Sequence, residues 1–82
     1  MKILYFANIK QEIGLSEEDI MIENKISIFE LIELLKKKES KYKNAFSNVE
    51  NIKCSVNCIF SSFDTMIENR DEVAFFPPVT GG

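Results

Sequence analysis

The sequence contains no histidine. That removes the commonest general base and the commonest metal ligand among the side chains. It has two cysteines, Cys54 and Cys58. Two are too few for a disulfide scaffold, and a reducing compartment keeps them as thiols. On one strand a spacing of four would point both the same way, and no further ligands stand nearby to complete a metal site. Both read as ordinary strand residues. No apolar run reaches the length of a membrane span, and the opening Met1-Lys2-Ile3-Leu4-Tyr5 lacks a signal-peptide pattern, so a cytoplasmic protein is expected. Basic residues cluster only at Lys36-Lys37-Lys38 and the net charge is −3, which disfavours nucleic-acid binding. There is no phosphate-binding glycine loop and no nucleophile–base pair.

What is present suits one small α+β domain. Eighty-two residues fit a single core, and an apolar content of 45% argues against disorder. Met1 to Asn8 reads as a strand, with Ile3, Tyr5 and Ala7 on one face and Leu4 and Phe6 on the other. Ile9 to Glu18 is a connection with room for a helical turn. Asp19 to Glu23 reads as a second strand, followed by a turn at Asn24-Lys25. The strongest local signal is a helix over about Ile28 to Glu39. Ser27 is a good N-cap, and Glu30 three residues later completes a capping box. Ile26 and Leu31 stand where a hydrophobic staple needs them. Ile28, Leu31, Ile32 and Leu35 share one face, and the three lysines complement the dipole of the last turns. Ser40 to Asn51 reads as a loop with at most one short helix. Ile52 to Phe60 reads as a third strand, with Ile52, Cys54, Val56, Cys58 and Phe60 in alternation. Met66-Ile67 is a short pairing segment, Asn69-Arg70-Asp71 a turn, and Val73 to Phe76 the last strand.

One helix covers one face of a sheet. Phe6 and Phe76 fall on the other face, where Phe60 can join them. A contiguous exposed apolar patch of that kind marks a protein interface. It would stand at the root of the final segment. There Pro77 and Pro78 end the strand and favour an extended arm. Val79 and Thr80 follow, then Gly81 and Gly82, which offer the smallest cross-section. Extended at about 3.3 Å per residue, Pro78 to Gly82 reaches roughly 16 Å. The expectation is a domain over residues 1–76 with a tail over 77–82, presenting the Gly82 carboxylate in a narrow channel of another protein.

The run from Asp71-Glu72-Val73-Ala74-Phe75-Phe76 through Pro77-Pro78-Val79-Thr80-Gly81-Gly82 resembles the sulfur-carrying small subunits of molybdopterin synthase, a ubiquitin-like β-grasp family. Ile3-Leu4-Tyr5-Phe6-Ala7, Val56-Asn57 and Ser62-Phe63-Asp64 fit the same family. The resemblance implies a mixed sheet packed on one main helix. It implies a carrier without a bound cofactor, whose Gly82 carboxylate is adenylated with ATP by an E1-like activating enzyme. A sulfur donor then converts it to a thiocarboxylate. The loaded tail enters the large synthase subunit and gives sulfur to a cyclic pyranopterin monophosphate. Phe6, Phe60 and Phe76 map to the family's interface, and a carrier on each of two large subunits is implied, a heterotetramer. The alternatives are a sulfur carrier for thiamine thiazole or tRNA thiolation, or a ubiquitin-like protein modifier. One departure stands out. The family usually has glycine where this chain has Arg70, so a turn requiring positive φ would fall to Asn69.

Overall fold

The computed structural model describes residues 1–78. Its first strand, β1 (Lys2–Tyr5), runs straight into helix α1 (Ala7–Ile13). Strand β2 (Glu17–Asp19) follows, then the two-residue strand β3 (Ile26–Ser27) and helix α2 (Ile28–Lys38). A short helix, α3 (Ser40–Ala45), and a 3-10 turn over Val49–Asn51 lead to strand β4 (Lys53–Val56). Strands β5 (Ile59–Ser61), β6 (Met66–Ile67) and β7 (Glu72–Phe76) complete the described chain.

The main sheet has the order β2-β1-β7-β4-β5, and β3 pairs with β6 in a separate ribbon. Strands β1 and β7 are parallel neighbours, and the other pairings are antiparallel. A single register row runs Glu18, Ile3, Val73, Val56, Ile59, and the next inward row carries Tyr5, Phe75, Cys54 and Ser61. Ile3, Tyr5, Val73, Phe75 and Cys54 from this face are buried against Ile28, Leu31, Ile32 and Leu35 of α2, with Tyr42 and Phe46 beside them. The Phe46 ring meets Phe75 edge-on at 5.0 Å, and Tyr5 stacks on Phe75 at 6.3 Å. Each fully buried Leu, Ile or Phe contributes about 1.5–3 kcal/mol relative to exposure.

Helix α2 forms as its sequence dictates. The Ser27 Oγ accepts from the Glu30 N–H at 3.1 Å, and the Glu30 carboxylate accepts from the Ser27 N–H at 3.1 Å. Elsewhere the structure corrects the sequence reading. The strand expected over Met1 to Asn8 stops at Tyr5, and Ala7 opens a helix whose Ile9 and Ile13 are buried. The second strand lies at Glu17–Asp19, ahead of the Asp19 to Glu23 segment expected. Glu18 explains it. Its carboxylate accepts hydrogen bonds from the Tyr5 hydroxyl at 2.7 Å, the Tyr42 hydroxyl at 2.5 Å and the Lys38 ammonium at 3.0 Å. An acidic residue can therefore face inward on an edge strand and tie it to α2 and α3.

The expected third strand, Ile52 to Phe60, is a hairpin. Asn57 and Cys58 form its two-residue turn with φ of 51° and 69°, the pair of positive values that a type I′ turn needs. Cys54 is buried on β4, and its thiol donates to the Ser61 carbonyl at 3.2 Å. Burial pushes that thiol up to about 11. Cys58 is exposed in the turn, so the two thiols do not share a strand face. The turn before β7 needs no positive φ: among the described residues other than glycine, only Ala7, Asn57 and Cys58 adopt it. Asn69 instead clamps Ile22, accepting from its N–H at 2.8 Å and donating to its carbonyl at 2.7 Å. Among the described residues no helix is long and apolar enough to cross a membrane.

Candidate functional site

The hairpin turn decides where Phe60 points. Because Asn57 and Cys58 leave the ladder as a pair, Val56 stands opposite Ile59 and Ser55 opposite Phe60. Phe60 thus lies on the outer face of the sheet, the side away from α2. Read as one continuous strand, the segment would have put it on the side of Cys54. The outer row through Phe60 continues across Ser55, Ala74 and Leu4. The adjacent row holds Phe76, cross-strand from Lys53. Phe6 carries on the parallel register beside Phe76: its N–H donates to the Phe75 carbonyl at 3.1 Å and its backbone is extended.

The three phenylalanines singled out by the sequence therefore belong to one face. Phe60 is 78% exposed and Phe6 is 47% exposed, while Phe76 is half-buried. The Phe60 and Phe76 rings lie 5.7 Å apart. A shallow groove between them is lined by Lys53, Cys54 and Ser61 as well. Aromatic area of this kind, held on a rigid sheet with one flanking cation, is what a buried interface core uses. Strand alternation already sets Leu4 with Phe6 and Ala74 with Phe76, whereas sequence reading missed Lys53 as a member of the face. The cross-strand register with Phe76 places it there, and a single strand in isolation does not carry that information.

The root of the tail adjoins this face. Strand β7 ends at Phe76, and Pro77 and Pro78 follow it without regular structure, each half-buried. Val79, Thr80, Gly81 and Gly82, expected to form the channel-entering part, lie outside the described residues. The base of β7 is fixed at the opposite end. The Asn57 amide donates to Asp71 at 3.0 Å and its carbonyl accepts from the Glu72 N–H at 3.0 Å. Asp71 in turn accepts from the Glu68 N–H at 2.9 Å. That bond, followed by the one from Asn57, holds the Asp71 carboxyl below its ordinary range. The strand that leads into the tail is thus pinned at its start and paired on both sides.

Known proteins share this fold. The chain is 32% identical to the molybdopterin synthase sulfur carrier subunit of Escherichia coli, covering 100% of this chain and 99% of that protein. It superposes on a solved molybdopterin converting factor subunit 1 from Pyrococcus furiosus with a TM-score of 0.78 and 30% identity, over 95% of each chain. SAMP1 from Haloferax volcanii has a similar fold, with a TM-score of 0.76 at 19% identity, over 100% of this chain and 98% of that one. The architecture is a ubiquitin-like β-grasp. The ThiS family model matches residues 3–82, and this chain belongs to that family.

Proposed function

We propose that this protein is the sulfur carrier subunit of a molybdopterin synthase. The observation that carries the reading is the full-length likeness to a carrier of that name, reaching through the Gly-Gly pair. The exposed Phe6 and Phe60, with the half-buried Phe76, stand beside the tail root and support it, since a carrier needs a body that docks while its end reaches elsewhere.

The chemistry follows from the groups at hand. A terminal carboxyl has a pKa near 3.5, so the Gly82 carboxylate is ionised at neutral pH and resists acyl attack. An activating enzyme transfers AMP from ATP to that carboxylate, releasing pyrophosphate and leaving an acyl-phosphate anhydride. A sulfur nucleophile from a donor displaces AMP, and the product is a thiocarboxylate. The large synthase subunit receives the tail, and sulfur passes to a cyclic pyranopterin monophosphate as its dithiolene is built. The chain lends a narrow end and a docking face, and its partners lend the ATP site and the acid–base groups. A carrier on each of two large subunits completes a heterotetramer.

Incubation with ATP, the activating enzyme and a sulfur source, followed by intact-mass measurement, tests the reading. The expected result is the exchange of one oxygen for one sulfur at residue 82. Transfer of that sulfur to the pyranopterin requires the large subunit. No mass change, or sulfur delivered only to a thiazole synthase or tRNA-modifying partner, overturns it. Isopeptide adducts to lysines in place of thiocarboxylate would mark a modifier instead.

A further inference from the structure

We infer that Ala7 is a positioning residue, whose left-handed backbone holds Phe6 as a pre-set aromatic knob for the large subunit. The inference rests on the carrier reading above. Strand β1 ends at Tyr5 and α1 begins at Ala7, so Phe6 alone joins them. Its peptide groups are engaged on both sides. The Phe6 N–H donates to the Phe75 carbonyl at 3.1 Å, and its carbonyl accepts from the N–H groups of Ile9 at 3.2 Å and Lys10 at 3.3 Å. With φ of −125° and ψ of 154°, Phe6 keeps the strand alternation. Tyr5 is therefore buried, and Phe6 is thrown to the opposite, solvent side.

The whole reversal of direction then falls on Ala7, at φ of 53°. That region is disfavoured for a residue with a Cβ, and glycine or a longer linker would relieve it. A strained residue next to an exposed aromatic side chain points from the outlier to a use. Fixing the backbone on both sides of Phe6 leaves only two side-chain torsions to order when a partner covers the ring. That lowers the entropic cost of docking. Phe6 also stands in register beside Phe76, so the knob and the tail root are set by the same strand pair.

The test measures affinity of the full chain for the large subunit of the same organism by titration calorimetry, with thermal unfolding alongside. Ala7→Gly retains the left-handed conformation and is expected to bind within about twofold of the unaltered protein. Ala7→Val disfavours it and is expected to lose about tenfold in affinity, or ~1.4 kcal/mol, while staying folded. In a Phe6→Ala background the valine substitution should cost nothing further, since its effect runs through Phe6. Native affinity for Ala7→Val, or an equal loss in both backgrounds, overturns the inference. Should Ala7→Val fail to fold, D-alanine at position 7, introduced by chemical synthesis, takes its place. It favours the left-handed region and should bind at least as tightly as the native chain; weaker binding overturns the inference. Native affinity for Phe6→Ala sinks the inference but leaves the carrier reading standing. No binding by the unaltered protein sinks both.

Discussion

Glu18 shows how one side chain can answer to three elements. Burial alone would raise its pKa, but hydrogen bonds from Tyr42, Tyr5 and Lys38, with the Lys38 charge, outweigh it and hold the carboxyl below the ordinary range. A depressed folded value means stability that is present above the unfolded value of about 4.3 and is lost as pH falls through the folded one. The tyrosines run the other way. Burial first, and then the Glu18 hydrogen bond, raise both hydroxyls, so their contribution is intact below about pH 10 and is lost above it. In urea titrations, the native chain should lose stability more steeply between about pH 5 and 3 than Glu18→Gln does. Parallel acid limbs would show that the carboxylate carries no pH linkage. Cys58 offers a second test. Its φ of 69° costs about 1–2 kcal/mol in a residue with a Cβ, against about 0.5–1 kcal/mol of extra chain entropy for glycine. Cys58→Gly should therefore stabilise the domain by about 0.5–1 kcal/mol, seen as a higher urea midpoint.

The elements differ in how plainly the sequence announces them. Helix α2 was legible because its cap, its staple position and its apolar face all agree within one short segment. Ser27→Ala should cost about 1 kcal/mol in chemical unfolding, and an unchanged midpoint would mean that packing alone holds the first turn. Helix α1 was hidden. Its N-cap is Phe6, which has no capping side chain, and only Ile9 and Ile13 mark its buried side. Helix α3 likewise shows only Tyr42 and the following Phe46. The β4–β5 hairpin escaped notice because alternation runs unbroken through its turn, and cysteine stands where glycine would have signalled positive φ. The short β3–β6 ribbon is a tertiary pairing of distant dipeptides, which no local pattern encodes. The outer aromatic face fared better. Alternation on β1 and β7 placed Phe6 and Phe76 correctly, whereas the outward turn of Phe60 depends on the hairpin.

For the molecule as a whole, the exposed aromatic face and the paired strand that feeds the tail lie together. Phe76→Asp is expected to weaken large-subunit binding by at least about tenfold, as loss of a central interface aromatic does. Folding should suffer little, because Phe76 is only half-buried and Lys53 stands cross-strand to receive the new carboxylate. Calorimetry reads the first effect and thermal unfolding the second; undiminished affinity would remove Phe76 from the interface. The order of the sheet reaches into biosynthesis. Strand β7 sits between β1 and β4 and supplies Val73 and Phe75 to the core. Until the ribosome has delivered residues 72–76, the β1–β2 and β4–β5 pairs have no strand to join them, and the loop from β1 must wait for its far end. The nascent chain thus matures late and all at once, and a product cut short before Glu72 would expose its core to chaperones and proteases.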